Sequence, residues 1–120
     1  MTPAAPDETG RGLDEPADEA TVIARGFGGD AALYREFLQA CAAQFPHDVA
    51  AGDAACASGD AQALCYLTHS LKSVLRSLGR TALGDRMGAA EALAAQGDLA
   101  GAAAAWAQAR SAVLRLVAQS

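Results

Sequence analysis

The stretch THSLKSVLRSLG, from Thr68 to Gly79, gathers most of the side chains in this sequence that could do chemistry together. His69 is one of only two histidines in the chain. Lys72 follows at i+3 and Ser73 at i+4, so a helix would set all three on one side. Arg76 lies two turns further on, and Cys65 and Tyr66 lie one turn before. The segment places two cations beside the histidine and no acid. A neutral imidazole nitrogen is a nucleophile, and cations beside it would stabilise an anion such as a phosphoryl group once attached. The plain alternative for Lys72 and Arg76 is a solvated helix face.

That chemistry requires His69 to face outward. On a helical wheel Leu64, Leu67, Leu71, Val74, Leu75 and Leu78 fall within one sector, and His69 falls roughly opposite its centre. The leucines therefore face a core, and the histidine faces solvent or a shallow groove beside a neighbouring helix.

The elements that must hold this helix can be read from a repeated dipeptide. Of the five Gly-Asp pairs in the chain, Gly29-Asp30, Gly59-Asp60 and Gly97-Asp98 are read as boundaries. Glycine suits the left-handed position that ends one helix, and aspartate suits the N-cap that begins the next. A fourth boundary falls at Gly79. These marks predict a short helix near residues 19–26 with Val22 and Ile23. A long helix follows Asp30, with Leu33, Phe37, Cys41 and Phe45 on its stripe, a kink or restart at Pro46, and Val49 and Cys56 inward. The histidine helix runs from Asp60 to about Leu78. A fourth helix runs over 81–96 with Leu83, Met87, Ala90 and Ala94 aligned. The last follows Asp98 with Leu99, Ala103, Trp106, Val113 and Val117 aligned. Helical periodicity throughout and no period-two alternation give an all-α fold, an antiparallel four-helix bundle with a short N-terminal helix as a lid. Gly52, Gly84, Gly88 and Gly101 each weaken a helix by about 1 kcal/mol relative to Ala, which close helix packing would offset.

Composition narrows the function. The chain of 120 residues fits one domain. Residues 1–18 are acidic and hold three of the four prolines, so they are expected to be a disordered tail, with the bundle over 19–120. A net charge of −5 argues against a nucleic-acid surface. No run is long and apolar enough for a membrane span, and no signal-peptide pattern opens the chain, which gives a cytoplasmic expectation. Cys41, Cys56 and Cys65 lack metal spacing and are expected to be reduced. His47 has no ligand cluster around it, no Gly-rich loop could cradle a phosphate, and no paired carboxylates suggest a hydrolase. Trp106 is expected in the core.

The segment resembles the signature of histidine-containing phosphotransfer (HPt) domains: His69, apolar Leu71 at +2, Lys72 at +3, small Ser73 at +4 and Gly79 at +10. The layout around it is similar too. FGGD precedes a Pro-interrupted helix, SGD precedes the histidine helix, and Leu83, Glu91 and QGD follow. The resemblance spans about residues 20–118. It implies a helical bundle that relays phosphoryl groups between receiver-domain aspartates and has no ATP site or cofactor of its own. His69 would accept and donate the group through Nε2, Lys72 would balance its charge, and Glu91 could orient the imidazole through Nδ1. Cys65, Tyr66, Ser73 and Arg76 would meet the partner. The implied partners are response-regulator receiver domains, which would contribute Mg²⁺, and a hybrid histidine kinase. The implied unit is a monomer.

Three positions depart from the family pattern. Ser73 stands where glycine is usual and leaves open a bundle that binds receivers without phosphotransfer. Val74 and Leu75 are large where small residues are frequent, and Gly84, Gly88 and Ala90 are small on the facing helix, which suggests a volume swap. Glu91 is an acid where a neutral amide also occurs.

Overall fold

Local capping chemistry fixes where the helices begin and end. A computed structural model of the protein describes residues 19–120. Five helices order the described residues: α1 (Glu19–Gly26), α2 (Ala31–Ser58), α3 (Ala61–Ser77), α4 (Thr81–Ala95) and α5 (Leu99–Ala118). There is no strand among the described residues. The tail expected over residues 1–18 lies outside them. The aspartates of the three boundary pairs cap as expected: Asp30, Asp60 and Asp98 accept hydrogen bonds from the backbone N–H groups of Leu33, Ala63 and Gly101 at 2.9–3.0 Å. The glycine before each cap is left-handed, as at Gly59 with φ 69°. The fourth boundary has no aspartate, and Arg80 stands at the N-cap of α4 without a side-chain cap bond.

α3 packs on α2 and α4, and α5 packs on α4 and α2, so the four long helices enclose one core. Leu64, Leu71 and Leu75 of α3 meet Leu83 and Met87 of α4, Trp106, Val113 and Leu116 of α5, and Phe45 and Val49 of α2. α1 buries no residue fully, but Val22 and Ile23 pack on the core edge. Val22 also rests on the α3–α4 turn: Gly79 has φ 79°, and a Cβ there would collide with the Val22 side chain. Backbone conformation and close approach both require glycine at that position.

The inward face of α2 differs from the expected stripe. Tyr34, Ala42, Phe45, Val49, Gly52 and Ala55 are buried, whereas Leu33 and Phe37 are exposed. Tyr34 takes the inward place because its ring meets Phe27 edge-on at 5.3 Å and its hydroxyl donates to the Leu78 carbonyl at 3.0 Å. The phenol thus satisfies its polar end while its body fills the core. Pro46 does not restart the helix. α2 is continuous from Ala31 to Ser58, with Pro46 on its exposed side. On α5, Ala102, Ala105, Trp106, Ala109, Ala112, Val113 and Leu116 are buried, while Leu99, Ala103 and Val117 sit at the margin. Small alanines let α5 approach its neighbours closely, so its buried face is wider than the bulky residues alone suggest.

Trp106 is in the core, and α2 is built around it. A Cβ on Gly52 would enter the indole ring. The next residue, Asp53, accepts from Trp106 Nε1 at 2.9 Å and takes two bonds from Arg110, at 2.8 and 2.9 Å. Burial pushes the Asp53 carboxyl up, but the Trp106 and Arg110 bonds outweigh it and hold the group below its ordinary value.

Candidate functional site

The rotation of α3 sets the site. Leu64, Thr68, Leu71 and Leu75 are its buried residues, spaced at i, i+4, i+7 and i+11. Thr68 is a polar residue in that row, and its hydroxyl donates to the Leu64 carbonyl at 2.7 Å and lies 3.1 Å from that of Cys65. A buried hydroxyl satisfied within its own helix leaves the inward face intact. His69, one residue on, is thereby turned out, with its side chain 60% exposed.

α4 completes the site from across the helix pair. Glu91 Oε2 lies 2.8 Å from His69 Nδ1, and Glu91 Oε1 accepts from Lys72 Nζ at 2.7 Å. A carboxylate can only accept, so Nδ1 carries the hydrogen, and in the neutral ring the lone pair is then on Nε2. The Lys72 hydrogen bond, with a smaller contribution from His69, outweighs burial and holds the Glu91 carboxyl below its ordinary value. His69, Lys72 and Glu91 are thus one hydrogen-bonded group.

The other expected site residues sit around it. Cys65, Tyr66 and His69 line a groove of about 490 Å³ together with Glu91, Ala94 and Ala95. Tyr66 stands beside it as the most exposed large apolar side chain among the described residues. Ser73 is exposed, and its hydroxyl lies 3.4 Å from the His69 backbone carbonyl rather than the imidazole. Arg76 is drawn away from the histidine: it pairs with Asp85 of α4 at 2.9 Å, both side chains being largely exposed. The two cations counted beside His69 are therefore each engaged by an acid from α4. Sequence reasoning missed Asp85, although Asp85, Gly88 and Glu91 recur every three residues and mark one face of α4.

The rest of the chemistry is spare. Cys41, Cys56 and Cys65 are half-buried and form no disulfide, and burial pushes the Cys41 and Cys56 thiols up. Among the described residues no group of three or more His, Cys, Asp and Glu side chains could hold a metal ion, and no helix is long and apolar enough to cross a membrane. No family model, no curated protein and no solved structure matches the chain.

Proposed function

We propose that this protein is a phosphoryl carrier of the histidine-containing phosphotransfer type, an antiparallel four-helix bundle working in a cytoplasmic two-component relay. One observation carries the reading: an exposed histidine whose Nδ1 is tied to Glu91 at 2.8 Å, so that Nε2 is the ring nitrogen left to react. The Nε2 lone pair attacks the phosphorus of a receiver's phosphoaspartate, the P–O bond breaks, and the aspartate leaves with its electron pair. The reverse step loads the next receiver. Transfer in line between two held groups needs positioning more than new covalent chemistry. The receiver supplies Mg²⁺ and the acidic pocket, and this chain supplies the imidazole. The groove lined by Cys65, Tyr66, Ala94 and Ala95 seats an apolar side chain of the docking receiver beside His69, and Ser73 lies one turn beyond on the same face.

Incubation with phosphorylated receiver domains tests this. The wild type should acquire an acid-labile, base-stable label and His69→Ala should not. A wild type that binds receivers yet stays unlabelled across a panel would replace the carrier with an adaptor of the same fold.

A further inference from the structure

Most of the net charge of this chain lies ahead of its helices. Residues 1–18 hold five acids (Asp7, Glu8, Asp14, Glu15 and Asp18) and one base, Arg11, whereas residues 19–120 hold nine acids and eight bases. Between α1 and the last turn of α3 the bundle has a pocket of about 340 Å³ lined by Thr21, Val22, Arg25, Gly26, Arg76 and Ser77. That lining offers two guanidinium groups and two hydroxyls, and it contains no acid. Arg76 gives one of its five N–H donors to Asp85. Arg25 takes part in none of the ion pairs among the described residues. Both arginines are exposed.

The pocket stands close to where residues 1–18 join the fold. Arg25 lies six residues into α1 from Glu19, a rise of about 9 Å. Asp14 and Glu15 lie five and four residues before Glu19. An extended chain covers about 3.3 Å per residue, which is enough for both to double back to the pocket.

We propose that the pocket between Arg25 and Arg76 is a carboxylate-binding site, and that its occupant is the Asp14-Glu15 pair of the same chain. A guanidinium binds a carboxylate through paired, charge-assisted N–H donors. One exposed ion pair is weak. Here two cations meet two acids, and the short tether holds those acids at an effective concentration on the order of millimolar.

The consequence rests on the carrier reading above. Arg76 lies seven residues beyond His69 on α3, about 10.5 Å along the axis. A partner that buries about 800 Å² of this surface covers a disc of about 16 Å radius. Centred on His69, that disc takes in the pocket. The seated acids occupy ground that a receiver must cover, and they add negative charge beside a site that accepts an anion. The segment is a tethered competitor, displaced by a receiver or by salt.

Amide ¹⁵N–¹H spectra of the full chain test the seat without any receiver. Asp14→Asn/Glu15→Gln removes both charges ahead of α1 and leaves the packed core untouched. At about 0.01 M salt, where charges are felt over about 30 Å, the amides of Arg76 and Ser77 should differ between wild type and variant. At about 1 M salt, where that range is about 3 Å, they should coincide. Arg76 and Ser77 amides unmoved at low salt would overturn the proposal. Differences that grow with protein concentration would seat the segment on a second copy and overturn it too. With one phosphorylated receiver at low salt, the neutral variant should acquire label several-fold faster than wild type, and Arg25→Gln should do the same. Equal rates would overturn the competition, and slower labelling of Arg25→Gln would assign the pocket to the receiver instead. A wild type that takes no label would end the carrier reading and leave the spectral result standing.

Discussion

Two carboxylates in this bundle do the same geometric job on different helix pairs. Asp53 of α2 gathers Trp106 Nε1 and both arms of Arg110 from α5. Glu91 of α4 gathers His69 Nδ1 and Lys72 Nζ from α3. Both groups are held below their ordinary carboxyl values by the donors they collect. They differ in what is left over. Around Asp53 the indole has no further polar atom to offer, and the ring is packed against Gly52 in the core. Around Glu91 the imidazole keeps a second nitrogen, and the ring is largely exposed. A carboxylate bridge between helices is therefore no sign of function by itself. The proposed function rests on the one bridged partner that retains a second ring nitrogen.

That contrast can be broken by substitution. The largest effect is expected from His69→Ala, which should abolish receiver-dependent labelling while changing stability by no more than about 0.5 kcal/mol, since the side chain is mostly exposed. Equilibrium denaturation beside the transfer assay separates the two. Next comes Trp106→Ala, expected to cost about 3–5 kcal/mol by emptying a large core volume, with labelling of the folded fraction preserved. Ala90 is fully buried on α4, and if Val74 and Leu75 take up the volume opposite, Ala90→Leu should cost about 1–3 kcal/mol by overpacking. Unchanged or raised thermal stability would sink the volume-swap reading of this helix pair.

The smallest effect is a pH dependence that both carboxylates share. A carboxyl held low in the fold binds protons more readily when the chain unfolds. The stability it contributes is present above the ordinary carboxylate range and is lost as pH falls through the folded value. Melting temperature should thus decline below about pH 4. Glu91→Gln and Asp53→Asn should each flatten part of that decline, and a decline unchanged in both variants would contradict the account.

What the sequence revealed depended on distance along the chain. Helix ends were legible because Asp capping is settled within four residues, although the dipeptide alone is not enough: Gly52-Asp53 and Gly84-Asp85 lie inside α2 and α4. The outward turn of His69 was legible because the leucines that fix it lie on the same helix. The inward face of α2 was misread because Leu33 and Phe37 are the more apolar choices, and only contacts with Phe27 and Leu78 draw Tyr34 inward instead. The Asp53, Trp106 and Arg110 group joins residues more than fifty positions apart, and no local pattern announces it. Glu91 was found through the family resemblance alone. Its sharing between His69 and Lys72 is a matter of how α3 and α4 meet, and so is the withdrawal of Arg76 to Asp85.

The most direct test sets the two bridges side by side. Initial rates of label transfer from one phosphorylated receiver are measured for Glu91→Ala and Asp53→Ala, each at a temperature where it is fully folded. The account predicts a loss on the order of 10²-fold for Glu91→Ala, from a misplaced reacting nitrogen. Asp53→Ala should transfer at the wild-type rate and show its defect only as a lower melting temperature. Wild-type transfer by Glu91→Ala, or equal losses in both variants, would contradict it.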